Sequence, residues 1–375
     1  MSAIDERTVR FEMFGPRAFF FEEGGGAGAI APKEMLDEKT LKETPPVGSG
    51  PYQYKTHTQA SIEEATRFES FRDKEQPYIT EKKLTFVPDE AAMEAAFRSG
   101  QIDVFSSEGL KNIKQKEAIQ RDLGSKIVVE TKPSQSGMAL VVNIHRKPWD
   151  DIRVREAIYR AIDVDRILNV VYLGDGQRTW YFSQARYTRD PLGPEKVQQY
   201  VGYDPKKSTE LLKASGIDLN QEYELMVPVE DKNWLDSGRL MAEDLAEVGL
   251  KIRVNPVIRN IYLQRGGPKP GDFDIQMSVL LDYQYAQTNS GTFWDSTSLE
   301  DPEVDAIIER VKQTVDPQAR AKLSNEFEMM LAQKYSNFMP FLTTNYHQAW
   351  YAYVKGVDPE YNSASGYQAK RWLEK

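Results

Sequence analysis

The residues that could carry chemistry in this sequence are few and scattered. Its three histidines, His57, His145 and His347, lie far apart, and none belongs to a His-Glu-x-x-His pair that would seat a metal. No Gly-x-Ser-x-Gly elbow and no Gly-Lys-Ser/Thr phosphate loop occurs, so acyl and phosphoryl transfer both lack their usual nucleophile or cradle. Cysteine is absent, which removes thiolate nucleophiles, thiolate metal ligands and disulfides together. Carboxylates at Asp150 and Asp151, and at Asp163 and Asp165, stand where helices begin. There they accept free amide hydrogens and meet the positive end of the helix dipole, so they read as caps rather than as an acid–base pair. Residues 24–29, Gly-Gly-Gly-Ala-Gly-Ala, fit the loose dinucleotide fingerprint, but Pro32 interrupts the helix that fingerprint requires, and the segment reads as a loop. No catalytic residues, no cofactor and no metal site are expected.

Bulk composition points toward recognition instead. The 375 residues exceed one typical core and suit two domains. With 48 basic against 57 acidic residues the net charge is -9, which argues against a nucleic-acid partner and against an anionic membrane surface. The expected partner is a small molecule or another protein. Aromatic residues make up 11% of the chain, including 19 Tyr and 6 Trp, each offering an apolar face with a polar handle. No stretch approaches the roughly 18 apolar residues of a membrane-spanning helix. The opening Met1-Ser2-Ala3-Ile4-Asp5-Glu6-Arg7 lacks the basic-then-apolar layout of an export signal.

The elements that must position any site are mixed α and β. From Thr8 to Met13, apolar Val9, Phe11 and Met13 alternate with Thr8, Arg10 and Glu12, the period of a half-buried strand for which no earlier segment offers a partner. Gly48-Ser49-Gly50-Pro51-Tyr52 is a turn. Asp89 caps a helix in which Met93, Ala96 and Phe97 share a face, and Gly100 ends it before a short strand around Ile102 and Val104. Val154, Ala157, Ile158, Ala161 and Ile162 recur at helical spacing, with Arg153, Arg155 and Arg160 assigned to the other face. Asp204-Pro205, Asp301-Pro302 and Asp316-Pro317 each set a capping carboxylate before a proline that suits a first helical turn. The first of these helices ends at Gly216, the second buries Val304, Ile307, Ile308 and Val311, and the third buries Leu323, Phe327, Met330 and Leu331. A further helix with Leu240, Met241, Leu245 and Val248 stops at Gly249 and feeds the alternating Ile252 and Val254. Helices alternating with short strands indicate an α/β architecture in both halves.

Several of these segments carry a family resemblance when taken in order. They are Gly48–Tyr52; Phe97-Arg98-Ser99-Gly100-Gln101-Ile102-Asp103-Val104; Asn143 with Pro148 and Asp151–Ile158; Tyr203-Asp204-Pro205 through to Gly216; Glu300–Asp305; Met339-Pro340-Phe341; and Val354–Val357. Spread over nearly the whole chain, they resemble the family 5 extracellular solute-binding proteins, the peptide-, nickel- and sugar-binding receptors of ABC importers. The resemblance implies a two-lobed α/β fold of the periplasmic-binding-protein kind (Venus flytrap, type II). It sets lobe I at residues 1–142 with 346–375 returning to it, and lobe II at 143–345. The usual N-terminal part of lobe I and its extra subdomain have no counterpart, so the sequence is expected to begin partway through such a protein. It implies a monomer, periplasmic or at the cell surface, that captures a peptide-like or saccharide-like solute between its lobes and hands it to an ABC importer permease, without a chemical step. Two other readings of the same fold are a hydrolase whose carboxylates converge in the cleft and a signalling receptor that only senses solute.

The resemblance also implies where a ligand is held. The loop after the strand Phe273–Val279 reads Leu280-Leu281-Asp282-Tyr283-Gln284-Tyr285-Ala286-Gln287. It keeps the family's Asp-Tyr pair but lacks the preceding Trp and the later Asp-Pro. Asp282 would pair with a ligand ammonium by charge-assisted hydrogen bonds, which are about twice as strong as neutral ones. Tyr283, Tyr285 and Trp294 would offer faces for a sugar ring or a peptide side chain. From the other lobe, Gln135 and Ser136, just before the strand Met138–Val142, would present small polar groups.

Overall fold

The computed structural model describes residues 1–18, 20, 32–35, 47–58, 61–87, 89–105, 110, 113–134, 137–179, 202–230, 232–266, 271–280, 302–334, 338–357 and 371–374. The Gly-rich stretch 24–29 lies outside the described residues. In chain order come β1 (Ser2–Asp5), β2 (Thr8–Arg10), β3 (Tyr52–Thr58), β4 (Ile62–Arg67), β5 (Glu81–Thr85), α1 (Glu90–Arg98), α2 (Ile113–Leu123), β6 (Ile127–Pro133) and β7 (Gly137–Val142). They are followed by α3 (Ile152–Ala161), α4 (Val164–Val171), β8 (Gly176–Arg178), α5 (Pro205–Ser215), β9 (Glu222–Pro228), α6 (Lys232–Glu247), β10 (Lys251–Val257), α7 (Arg259–Gly266) and β11 (Ile275–Leu280). The chain continues through α8 (Pro302–Gln313), α9 (Pro317–Lys334), β12 (Phe338–Tyr351), β13 (Val354–Lys355) and β14 (Trp372–Leu373).

The chain divides into two compact units, one of Met1–Gly26 with Pro133–Asn345, the other of Ala27–Lys132 with Tyr346–Lys375. The first boundary therefore falls at 132/133 rather than after 142. The reason is backbone pairing: β7 is matched along its whole length by β11, from Gly137 opposite Leu280 to Val142 opposite Ile275. Residues 1–26 also group with this first unit, where Ala18 N–H donates to the Lys312 carbonyl at 2.7 Å and Arg17 lies 3.7 Å from Glu309. The strand expected over Thr8–Met13 is confined to β2 and has a partner after all. β1 runs antiparallel to it, with the Arg7 N–H donating to Asp5 Oδ1 at 2.8 Å in the turn.

In the first unit, strands run in the order β10-β9-β11-β7-β12, with β8 also on β12. β9, β10 and β11 are parallel, and β7 and β12 each run antiparallel to their neighbours. The core on this sheet joins Leu140, Val142, Leu225, Val227, Ile275 and Met277 to helix residues Val154, Ile158, Met241 and Leu245. Burying a side chain of this size contributes about 1.5–3 kcal/mol each. Asp151 and Asp204 cap α3 and α5 through the Arg153 and Lys207 amides, and Gly216 leaves α5 at φ +74°, a value that favours glycine. Trp149 is fully buried, edge-on to Tyr223 at 5.0 Å, its Nε1–H donating to Asp274 at 3.3 Å.

Two of the three α3 arginines do not face solvent. Arg155 and Arg160 are buried. Arg155 donates to the Trp149 carbonyl at 2.7 Å and Arg160 to Glu156 at 2.8 Å, so the guanidinium groups satisfy carbonyl and carboxylate oxygens that apolar side chains would leave bare. Asp244 of α6 is buried too. It accepts the Asp163 N–H at 3.0 Å and a short bond from Arg166. Burial pushes its carboxyl up despite Arg166, whereas Glu243 and Asp244 together hold the Arg166 guanidinium above its ordinary value.

The second unit carries the antiparallel sheet β3-β4-β5 and a smaller core of Phe97, Phe105, Leu110, Ile119, Ile127 and Ala349. Asp89 caps α1 by accepting the Ala92 N–H at 2.7 Å, and Gly100 follows at φ +74°. The short strand expected around Ile102 and Val104 is reduced to one isolated bridge, Val104 to Trp350. Thr131 and the buried His347 share a hydrogen bond of 2.8 Å.

Candidate ligand-binding edge

The sheet of the first unit has a chemically distinct edge. Its parallel strands β9, β10 and β11 end there at Pro228, Val257 and Leu280. In open α/β sheets, ligands bind beyond the carboxyl ends of the strands, where backbone turns and loops supply polar groups. β7 starts at the same edge, since Gly137 lies opposite Leu280. Leu280, the last residue of β11, and Gly137, the first of β7, thus stand side by side at this edge. Neighbouring strands are about 4.8 Å apart.

The six residues expected to touch ligand, Asp282, Tyr283, Tyr285, Trp294, Gln135 and Ser136, all lie outside the described residues. What the fold positions is their points of attachment. Asp282 follows Leu280 by two positions, and Ser136 and Gln135 immediately precede Gly137. Ser134 anchors that second segment, donating its N–H to the Thr344 carbonyl at 2.9 Å and accepting from the Thr343 hydroxyl at 3.0 Å.

β12 is held from both sides at this edge. Leu342 is opposite Met138 of β7 and also opposite Arg178 of β8. A Cβ on Gly137 would stand 2.4 Å from the Leu342 oxygen, and one on Gly176 would stand 2.6 Å from the Thr343 oxygen. Only residues without side chains allow both approaches. Asn345 then donates its side-chain amide to Asp175 at 2.8 Å.

Beneath the exit of β11, Tyr262 of α7 donates its hydroxyl to the Met277 carbonyl at 2.8 Å. Burial pushes the Tyr262 phenol up, so it stays a neutral donor, and Ser278 bonded to it offsets part of that shift. The rim of the edge is apolar. Val229 and Ile258, each the first residue past its strand, and Ile261 of α7 are 40%, 56% and 39% exposed. The Val229 N–H donates to Val257 at 3.0 Å, and the Arg259 N–H donates to Glu230 at 2.6 Å, which fixes the two strand ends together. Val229 and Ile258 escape a sequence reading because each falls just after a strand, where periodicity has stopped, and Ile261 because it lies in the short helix α7 that follows. A strand end followed by an apolar residue was the available signal.

Among the described residues no group of three or more His, Asp or Glu side chains could hold a metal ion. No described helix is long and apolar enough to cross a membrane.

The profile of bacterial extracellular solute-binding proteins, family 5 (middle region), matches residues 1–301. The dipeptide-binding protein of Escherichia coli strain K12 is 25% identical over 279 residues, 70% of this chain and 49% of that protein. The probable ABC transporter periplasmic-binding protein SapA of the same strain is 22% identical over 380 residues, 94% of this chain and 66% of that protein. The chain thus spans about half to two-thirds of the length of these relatives. Among solved structures, DppA from Helicobacter pylori with the peptide STSA superposes with a TM-score of 0.80 at 20% identity, covering 100% of this chain and 74% of that one. The oligopeptide-binding protein AppA from Bacillus subtilis with a nonapeptide gives 0.76 at 20% identity, covering 97% and 76%. At such identities the likeness is one of fold, and it is the α/β periplasmic-binding-protein fold read from the sequence. With the profile covering most of the chain, this protein belongs to the bacterial extracellular solute-binding proteins of family 5, a family of binding proteins rather than enzymes.

Proposed function

We propose that this chain is the solute-capturing part of an ABC importer's substrate-binding component, that its solute is a peptide, and that it performs no chemical step. The observation that carries the reading is the pairing of Leu280 with Gly137, which starts the Asp282 loop and the Gln135–Ser136 segment from one sheet edge. Asp282 is the anchor for the peptide's ammonium. Tyr283, Tyr285 and Trp294 stack on its side chains, with the rim of Val229, Ile258 and Ile261 beside them. Relatives named for dipeptide and peptide transport favour a peptide over a saccharide. The protein works as a monomer outside the cytoplasmic membrane and passes its solute to the importer's permease. The described residues give no support to a hydrolase: the carboxyl pushed up by burial, Asp244, is engaged by Arg166 and the Asp163 amide within the fold.

Mass spectrometry of the purified protein after denaturation tests this reading. Co-purified peptides are the expected finding. A bound saccharide, or an empty protein that takes up no peptide from a defined mixture, would count against it.

A further inference from the structure

The rim of the binding edge carries a cation that the first unit does not use for its own fold. α7 has two arginines, one at each end. Arg265, in the last turn, lies 2.7 Å from Glu224 and is paired with it. Arg259, the first residue of the helix, is exposed and forms no ion pair among the described residues. Glu230 is close by but takes only the backbone, accepting the Arg259 N–H at 2.6 Å, which ties the start of α7 to the end of β9. Lys232, which opens α6 at the same edge, is instead paired with Asp236.

The groups around Arg259 say what it could hold. Tyr262, three residues on, donates its hydroxyl to the Met277 carbonyl of β11 at 2.8 Å. Burial raises that phenol, and Ser278 and the positive charge of Arg259 draw it partly back, so the guanidinium is within electrostatic reach of the hydroxyl that touches β11. Three apolar side chains left about half exposed, Val229, Ile258 and Ile261, stand beside it. Ile258 immediately precedes Arg259 and accepts the Tyr262 N–H at 2.9 Å, Ile261 follows in the same turn, and Val229 is bonded to Val257 at 3.0 Å. An arginine fork matches a carboxylate in geometry, and half-exposed isoleucines gain by covering an apolar group. In a peptide, only the carboxy-terminal residue bears a carboxylate and an apolar side chain on one carbon.

We propose that Arg259, with Val229, Ile258 and Ile261, forms a specificity subsite for the carboxy-terminal residue of the captured peptide, pairing its carboxylate and covering an apolar side chain. This rests on the function proposed above and adds a direction to it: the peptide's ammonium lies at Asp282 and its carboxylate at the start of α7.

Three tripeptides that differ only in their last residue, ending in leucine acid, leucine amide or serine acid, are titrated calorimetrically into the protein. The leucine acid is expected to bind about tenfold more tightly than the amide, the scale of one charge-assisted bond, and about fivefold more tightly than the serine acid. Arg259→Gln should remove the first preference and keep the second, and Ile258→Ser should do the reverse. Arg259→Lys, which keeps the charge but loses the fork, should retain part of the first preference. Circular dichroism checks that each variant, altered at an exposed position, stays folded. Peptide binding in which the parent protein shows either preference below about twofold, or in which a preference survives its variant, overturns the subsite and leaves the function standing. Dimers in sedimentation that Ile258→Ser dissolves, with no preference among the peptides, would assign the rim to a second copy of this chain and overturn the subsite as well. If none of the peptides binds, the function falls and the subsite falls with it.

Discussion

Replacing Gly137 by alanine places a methyl group where β12 already stands. The added Cβ would be 2.4 Å from the Leu342 oxygen, where ordinary contact begins at 3.4 Å, so backbones must part by 3.4 − 2.4 = 1.0 Å. β12 has little freedom to move away, because Leu342 is also paired with Arg178 of β8, and Gly176 makes its own close approach to the Thr343 oxygen. Overpacking of this kind costs about 1–3 kcal/mol, and an obstruction made of backbone belongs at the upper end, about 2–3 kcal/mol. For a domain of roughly 150–250 residues each kcal/mol shifts the melting temperature about 2–4 °C, so Gly137→Ala should melt roughly 5–10 °C lower by circular dichroism. Gly48→Ala is the control, since nothing lies within 4 Å of its added Cβ. Gly137→Ala combined with Gly176→Ala should depart from additivity, because both substitutions press on the same strand from opposite sides. If Gly137→Ala melts within about 1 °C of the parent protein, the close approach of β7 to β12 is not as described.

Two further predictions concern buried and capping carboxylates. Asp151 is held below its ordinary value of 3.8 chiefly by the hydrogen bond from the Arg153 side chain, so its contribution is present at neutral pH and is lost as pH falls below about that value. Asp151→Ala should cost about 1 kcal/mol in denaturant titrations at pH 7, the worth of a cap, and the deficit should shrink on acidification. An undiminished deficit at pH 3 would contradict this. Asp244 has the opposite sign: burial raises its carboxyl above 3.8, so the stability it adds is complete below that value and is lost as pH rises through the raised one. Asp244→Ala should therefore cost most at low pH, about 2 kcal/mol, by removing the acceptor for the buried Asp163 amide and Arg166, and less at pH 7. A neutral effect would mean α4 and α6 are not linked through this carboxylate.

Local signals were legible in the sequence because their physics is local. Asp89, Asp204 and Asp316 each accept an amide hydrogen from three residues onward, and the Lys207 and Ala319 contacts are at 2.9 and 2.7 Å. Gly100, Gly216 and Gly249 end their helices at positive φ. What the sequence withheld depends on distant partners. β1 has every residue exposed, so no alternation betrays it as the partner of β2. Arg155 and Arg160 look like a solvated face until Trp149, Glu156 and the Gly202 carbonyl close over them. The same holds at the binding edge. Asp282 and Gln135 were singled out by resemblance, but the adjacency of their strands follows only from the register of β11 on β7. The paired glycines against β12 leave no trace in composition or period, because each is an unremarkable glycine in sequence.

Calorimetric titration of Asp282→Asn and Trp294→Ala with a defined tripeptide mixture and its N-acetylated counterpart tests the binding edge most directly. The parent protein should prefer the free ammonium. Leaving that charge without its partner costs about 2–5 kcal/mol, so Asp282→Asn should weaken free-amine binding roughly 30-fold to several thousand-fold and remove the preference over acetylated peptides. Trp294→Ala should weaken both sets alike through the lost stacking face. If neither substitution changes affinity by more than about twofold, the loop leaving β11 does not touch the solute and the proposed edge is wrong.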